Sequence, residues 1–304
     1  MEVLESIDTK EMMQNFKEFE EENEICTVIL NVENKLFGEE IKPYNLKLFG
    51  KTMTEWVSSA VYDTNIKYAS LDFKDDILPV VKATSNKNSK YTVVLFSDAP
   101  LIQRKTFMQI MEYFKIKGLS VLKLTRGYVF ETKYLMQIEN LYNPQTEYFE
   151  EEDFIICSNL KQTAMVSEIL KNRILNYFMK KGVVIEDPAS TFIDADCQIE
   201  AGVIIKPFNQ ILNKSIIEKN AIIDSYCKID GSVVLENATL EGCTIINSLV
   251  GKNSKIGKNC VIISNTKICD NVEVPPFVCA CGVAVGEETN LKSFCTYKAK
   301  DGEQ

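Results

Sequence analysis

Two short segments of the chain carry side chains that could bind a nucleotide or a metal ion. One is Ser-Asp-Ala-Pro at 97–100, and the other is the stretch 31–43, which contains Lys35 and Lys42; each follows an apolar run. Lysine side chains can hold phosphate groups, and a carboxylate such as Asp98 can bind a divalent cation through its oxygen atoms. Asp98 could equally cap the helix predicted after it, because Asp and Pro are both common at helix starts. The sequence leaves both interpretations of Asp98 open.

The composition excludes several other kinds of chemistry. The 304 residues contain no histidine, which removes every mechanism that depends on an imidazole base, nucleophile or metal ligand. The ten cysteines include no C-x-x-C pair, so a zinc site is not expected. Lys and Arg total 34 against 43 for Asp and Glu, and the net charge of −9 argues against nucleic-acid and membrane partners.

The N-terminal residues predict a cytoplasmic protein. Residues 1–24 are acidic and helix-like, and they lack the basic start and apolar centre of a signal peptide. No apolar run approaches the roughly 20 residues that a membrane-spanning helix requires. Disulfides are rare in a reducing compartment, so we interpret the cysteines as small buried apolar residues.

Residues 25–158 are predicted to form an α/β domain that positions both candidate segments. Apolar runs typical of buried strands alternate with helix-like stretches, the strands at 25–30, 91–96 and 119–124 and the helices at 52–61 and 106–116. This alternation implies a doubly wound sheet. Ligands of such sheets bind beyond the carboxyl ends of the strands, which is where both candidate segments begin.

The last third of the chain repeats with a period of six residues, interrupted by a few five-residue steps. A coil of short strands and turns places all the repeating side chains on one face, which neither a helix nor a flat strand can do. Small residues recur two positions earlier, as a narrow interior requires. The repeat predicts a left-handed parallel β-helix of about six coils over 183–295. The predicted inward aliphatic residues are Ile193, Ile199, Ile205, Ile211, Ile217, Ile223, Ile229, Leu235, Leu240, Ile245, Val250, Ile256, Ile262, Ile268, Val274 and Ala280, and the small ones include Cys197, Ser215, Cys227, Val233, Cys243 and Cys260.

Three further segments complete the predicted organisation. Residues 159–182 carry a helical apolar stripe and end in Lys-Lys-Gly, which predicts a linking helix stopped at Gly182. Residues 1–24 are predicted to form an acidic N-terminal helix, and 296–304 a tail after the coil.

Taken in order, these segments resemble the family of bifunctional bacterial enzymes that acetylate glucosamine-1-phosphate and then transfer UMP to make UDP-N-acetylglucosamine. The stretches that carry the resemblance are Gly-Lys-Thr-Met at 50–53, Leu-Phe-Ser-Asp-Ala-Pro-Leu-Ile at 95–102, Gly-Val and Asp-Pro at 182–188, and Cys-Thr-Ile-Ile-Asn-Ser-Leu-Val-Gly at 243–251. The resemblance implies a reduced Rossmann-like nucleotidyltransferase domain, a linking helix, a left-handed β-helix and a homotrimer formed through that β-helix.

The resemblance also implies a magnesium site. The family's metal ligands are an aspartate, matched by Asp98, and an asparagine just before the linking helix. The asparagine position falls at Ser158, with Asn159 beside it. Asp98 and Asn159 are therefore the candidate metal ligands.

The chain departs from the family where phosphates bind. Glu33 takes the place of a glycine in the phosphate loop, and Tyr44 takes the place of the lysine that follows Pro43. About 50 residues separate Pro100 from Cys157, too few for the family's sugar-binding lobe. The family's acetyltransferase part adds further coils and a catalytic histidine, so acetyl transfer is not expected of these 304 residues.

Two functional hypotheses follow. The first is a degenerate sugar-nucleotidyltransferase homologue that is non-catalytic and binds a partner protein as a regulatory or scaffold subunit, with no certain cofactor. The alternative is a divergent N-acetylglucosamine-1-phosphate uridylyltransferase that binds a nucleotide sugar, with Mg²⁺ on Asp98 and Asn159 and phosphate on Lys35 or Lys42. The loop 33–43 favours the first, because three glutamates against two lysines oppose the docking of a triphosphate.

Overall fold

A computed structural model describes residues 24–33, 42–72, 76–141, 144–287, 289 and 291–299. Lys35 and residues 1–23 of the predicted N-terminal helix lie outside these ranges. The chain divides into two compact units, an α/β unit (1–166) and a coil unit (167–304). Of the helices in the described ranges, none is long and apolar enough to cross a membrane.

The α/β unit contains the alternating strands and helices that the sequence predicts, together with strands that the prediction missed. Its strands are β1 (Ile25–Val32), β2 (Lys47–Leu48), β3 (Lys51–Thr52), β4 (Asn65–Leu71), β5 (Tyr91–Phe96), β6 (Val121–Leu124) and β7 (Gly127–Glu131), and its helices are α1 (Met53–Ala60), α2 (Ile77–Thr84), α3 (Arg104–Lys117) and α4 (Thr132–Gln137). Short 3₁₀ turns lie at Pro43–Asn45 and Glu151–Phe154.

The main sheet is mixed, and this places one residue that the sequence analysis did not consider. Its strand order is β4-β1-β5-β7-β6, with β1 parallel to β4 and β5. Strand β7 runs antiparallel to both β5 and β6. It is antiparallel to β6 because only two residues connect these two strands, and so short a turn joins antiparallel strands. Gly127 at the start of β7 pairs with Leu95 near the end of β5. The preceding residue, Arg126, therefore lies at the carboxyl end of β5.

Gly127 is required by the close approach of β7 to β5. Its φ is +150°, and a Cβ atom at this position would lie 2.5 Å from the carbonyl oxygen of Val94. Side chains rarely tolerate either condition. The glycine thus allows the turn that carries Arg126 to reach the end of β5.

Helices cover both faces of this sheet, as the predicted doubly wound arrangement requires. Alternate residues of β1 point to opposite faces, so that Ile29 packs with Val57 of α1 and Phe107 of α3. Val28 packs on the other face with Leu78 of α2. Because β1 is buried on both sides, its carboxyl end is fixed in place for the candidate site.

The linking helix α5 (Leu160–Lys180) matches the predicted segment 159–182 closely. Gly182, which has a φ of +92°, follows the last helical turn. The N–H of Val183 then bonds the carbonyl oxygen of Phe178 at 3.1 Å, as in a glycine-stopped helix end.

The coil unit confirms the predicted β-helix of about six coils. Its short strands stack as three parallel sheets of six, six and seven strands. Strand β26 lies within the predicted tail and extends the third sheet beyond residue 295. The strands are β8 (Val184–Ile185), β9 (Phe192–Ile193), β10 (Gln198–Ile199), β11 (Ile204–Ile205), β12 (Gln210–Leu212), β13 (Ile216–Ile217), β14 (Ile222–Ile223), β15 (Lys228–Asp230), β16 (Val233–Val234), β17 (Thr239–Leu240), β18 (Thr244–Ile246), β19 (Leu249–Val250), β20 (Lys255–Ile256), β21 (Val261–Ile263), β22 (Lys267–Ile268), β23 (Glu273–Val274), β24 (Cys279–Cys281), β25 (Ala284–Val285) and β26 (Thr296–Lys298).

The predicted inward phase is right except at one corner. Val234 of β16 and Ser232 just before this strand are the buried pair, where the repeat had assigned Leu235 and Val233. Val234 pairs in register with the inward Ile217 of β13. A run of three aliphatic residues made the phase ambiguous here, and stacking on the previous coil selects the middle one.

Candidate functional site

The candidate site lies at the carboxyl ends of β1 and β5, as the sequence predicts. Strand β5 stays paired with β1 to its last residue, Phe96, and the N–H of Ser97 donates to the carbonyl oxygen of Leu30 at 3.0 Å. Asp98 follows directly and is 9% exposed. A carboxylate this buried needs a partner, because an unpaired charge is costly away from water.

That partner is Arg126, which forms a two-pronged ion pair with Asp98. The Arg126 Nε donates to one carboxylate oxygen at 3.0 Å, and Nη2 donates to the other at 2.5 Å. The guanidinium also lies over the ring of Phe96, with 4.0 Å between Cζ and the ring centroid. Such fork-shaped, charge-assisted pairs are among the stronger hydrogen-bonded contacts in proteins. Asp98 is therefore held in one orientation by a cation of its own chain.

The helix-cap interpretation of Asp98 is wrong. Helix α3 begins after Gln103, whose side chain makes no capping bond. The carboxylate that serves this helix start is Asp153, which accepts the N–H of Gln103 at 3.2 Å and the hydroxyl of Thr106. Asp98 lies five residues before Gln103 and does not cap this helix. Its side chain pairs with Arg126 instead.

The backbone of Asp98 also connects to the start of the linking helix. Its carbonyl oxygen accepts the N–H of Cys157 at 2.7 Å. Burial raises the pKa of the Cys157 thiol to about 12, so this cysteine is neutral at ordinary pH. The segment before α5 thus lies beside Asp98, where the resemblance places the second metal ligand.

Asn159 itself is occupied as the cap of α5. Its Oδ1 accepts the N–H of Gln162 at 3.0 Å, and its Nδ2 donates to the side-chain oxygen of Gln162 at 3.2 Å. Ser158 also donates its N–H to that oxygen, at 2.9 Å. An asparagine that accepts from the third helical N–H is a standard N-cap. Asn159 therefore follows two residues after Cys157, whose N–H meets Asp98, but its own side chain serves the helix start.

Lys42 lies beyond β1 and is paired with an acid from the same edge. Its Nζ is 3.5 Å from Glu33, and both side chains are more than half exposed. The Tyr44 side chain and then Glu33 raise the pKa of Lys42, so its charge is retained. Lys35, the other candidate phosphate ligand, lies outside the described residues. Lys42 stays a candidate that would have to leave Glu33 to meet a phosphate.

The space beside Arg126 is small. Apolar side chains of α1, β5 and the 3₁₀ turn Glu151–Phe154 line, with the guanidinium, a void that has no room for a water molecule. This void cannot hold a nucleotide unless the surrounding side chains move.

The magnesium ion that the resemblance implies does not fit the residues found here. Both oxygens of Asp98 already accept hydrogen bonds from Arg126, and the amide of Asn159 is used by α5. In the part of the chain that the structure describes, no three acidic or cysteine side chains form a group that could hold a metal ion. The geometry is that of a neutralised carboxylate in an ion pair.

Sequence reasoning missed Arg126 because it belongs to no motif and lies 28 residues from Asp98. The one available signal was the two-residue spacing between the apolar runs 121–124 and 127–131, which predicts a hairpin. Pairing that hairpin against β5 would have placed Arg126 beside Asp98.

Comparison with known proteins supports the resemblance over part of the chain. A family model described as the GMPPB C-terminal domain matches residues 179–299. Proteins named bifunctional protein GlmU are similar at 29% identity over 136 residues in Clostridium kluyveri, covering 45% of this chain and 30% of that protein. The values are 28% over 146 residues in Clostridium acetobutylicum, covering 48% and 32%, and 35% over 92 residues in Clostridium novyi, covering 30% and 20%.

The matched stretches span a third or less of the length of these curated relatives. The family match agrees with the architecture, because it covers the coils from the end of α5 onward. The chain is therefore a GlmU-like, partial relative of these bifunctional proteins.

Proposed function

We propose that this GlmU-like relative is a degenerate sugar-nucleotidyltransferase homologue that no longer catalyses and serves as a regulatory or scaffold subunit. One observation carries the proposal. Two cations at the edge beyond β1 and β5, Lys42 and Arg126, each pair with a carboxylate of the same chain. A nucleotide arriving at this edge would have to displace those carboxylates.

The physical argument concerns the charge of the incoming nucleotide. Nucleotidyl transfer depends on positioning and on neutralising the phosphates, with little covalent help from the protein. Here Glu33 stands where the family has a glycine, and Tyr44 where it has a lysine. Losing one preorganised donor typically costs about 10²–10³-fold in rate, so losing several would leave no useful turnover.

The β-helix supports the scaffold part of the proposal. Its three flat faces present many short strands on a rigid coil, and flat repeat surfaces of this kind are suited to association. We propose a homotrimer formed through the coil, which could in turn hold a partner protein. Light scattering should then give about three times the chain mass of 34.5 kDa. A monomer at micromolar concentration would contradict the trimer.

Ligand binding tests the proposal against the uridylyltransferase alternative. The single tryptophan, Trp56 on α1, reports unfolding of the α/β unit through its fluorescence. We expect no change in the unfolding temperature with UTP, UDP-N-acetylglucosamine or either ligand with Mg²⁺. A ligand that binds only the folded state at 100 times its Kd would stabilise it by about 2.7 kcal/mol, which is readily detected.

A matched pair of lysine variants sharpens this test. Lys42→Met removes the candidate phosphate ligand, whereas Lys47→Met changes an exposed lysine on β2. A stabilisation by UTP that disappears in the first variant and persists in the second would support the alternative function. Equal, null responses in both variants and in the unchanged protein support the proposal.

A further inference from the structure

We infer that the guanidinium of Arg126 takes the place of a divalent cation on Asp98, so that this edge of the sheet is stabilised without metal. The inference deepens the proposed function and rests on the same edge of the sheet, but it makes a separate claim. It concerns what neutralises Asp98, and it would hold even if a nucleotide bound here without metal.

The first argument is coordination. A divalent cation on Asp98 would need oxygen atoms that are free to face it. Both carboxylate oxygens instead face the fork of Arg126, with Nε at 3.0 Å and Nη2 at 2.5 Å. A second cation placed against the same oxygens would be repelled by the guanidinium at close range.

The second argument is that Arg126 is held in position from two sides. Its side chain is about a quarter exposed and lies over Phe96, whose ring faces the cation at 4.0 Å. Its backbone is fixed by the start of β7, where Gly127 permits contact with Val94 of β5. The fold therefore holds the guanidinium of Arg126 in position beside Asp98.

The Asp98–Arg126 pair also connects separate segments of the α/β unit. Asp98 receives Arg126 from the β6–β7 turn through its side chain and the N–H of Cys157 through its backbone. The pair thus joins the turn, the end of β5 and the segment that leads into α5. A metal ion with ligands on β5 and before α5 would make the same connection, and here a side chain makes it.

The experiment compares four full-length proteins: unchanged, Arg126→Met, Asp98→Asn and the double variant. Unfolding of the α/β unit is followed by Trp56 fluorescence, in EDTA and in 10 mM Mg²⁺. We expect the unfolding temperatures of the unchanged protein in EDTA and in Mg²⁺ to differ by less than about 1 °C. Arg126→Met should lower it by about 4–10 °C, since it leaves a buried carboxylate unpaired. The same change in the Asp98→Asn background should cost markedly less.

Two results would overturn the inference. One is stabilisation of the unchanged protein by Mg²⁺ that Asp98→Asn abolishes, and the other is additive effects of the two substitutions. Binding of UDP-N-acetylglucosamine without Mg²⁺ would instead contradict the proposed function and leave this inference standing.

Discussion

Shortening Ile229 tests whether the coil is held together by its inward column. Ile229 lies on β15, is fully buried, and pairs in register with Ile211 of the coil before and Ile245 of the coil after. Parallel strands on both sides fix the spacing of these side chains, so the neighbours cannot move inward to fill a gap. Ile229→Val and Ile229→Ala therefore remove one and three carbon atoms from a site that relaxes little.

The magnitude follows from the atoms removed. Each buried methylene is worth about 0.8 kcal/mol of transfer free energy, and the unfilled cavity adds to this loss. We expect the free energy of unfolding to fall by about 0.5–1.5 kcal/mol in Ile229→Val and about 2–5 kcal/mol in Ile229→Ala. For a unit of this size, each kcal/mol corresponds to roughly 3–4 °C, so the alanine variant should unfold about 6–20 °C lower.

The assay is thermal unfolding by far-ultraviolet circular dichroism, combined with hydrogen exchange of peptides that cover β12 and β15. Gln210→Ala is the control, because Gln210 sits one coil earlier on the same sheet with its side chain exposed. The control should change the unfolding temperature by less than about 2 °C. If Ile229→Ala were no worse than Gln210→Ala, the inward phase assigned to this column would be refuted.

Substitutions at three other positions test separate parts of the structure. Gly127→Ala should destabilise the α/β unit, because the added Cβ would meet the Val94 carbonyl oxygen at 2.5 Å; unchanged Trp56 fluorescence melting would contradict this. The Cys227 thiol, buried in the coil, should resist thiol reagents in the native protein, with Cys227→Ala mild and Cys227→Trp severe. The Ser190 hydroxyl lowers the pKa of Asp187. This lowered pKa stabilises the fold at pH values above the unfolded pKa of about 3.9, and the stabilisation is lost as the pH falls through the folded pKa. Ser190→Ala should therefore lose stability at pH 7, and this deficit should shrink as the pH falls below the unfolded pKa of about 3.9.

The coil could be predicted from sequence because its constraint is local and repeated. A narrow interior accepts one aliphatic and one small side chain per short strand, so the period of six appears directly in the residue types. The same rule failed at Val233, Val234 and Leu235, where three aliphatic residues in a row fit the period equally well. The register with Ile217 decided between them, and a register between coils is not visible in a single strand.

The candidate site was only partly predictable because its contacts are not local. The position of Asp98 at the carboxyl end of β5 follows from the apolar run before it. The partner of Asp98 depends on strand β7 lying antiparallel beside β5, which the assumption of a doubly wound parallel sheet excluded. The residues near Asp98 in the sequence therefore could not reveal that Arg126 lies beside it, because this depends on the pairing of β5 with β7.

We propose that the edge beyond β1 and β5 no longer catalyses nucleotidyl transfer. The most direct measurement is pyrophosphate release from UTP with N-acetylglucosamine-1-phosphate and Mg²⁺, compared with a heat-killed control and with Asp98→Ala. We predict release at background for the unchanged protein and no difference between it and Asp98→Ala. Release at ordinary enzyme rates of about 1–10³ s⁻¹ that Asp98→Ala abolishes would contradict the claim and establish the uridylyltransferase alternative.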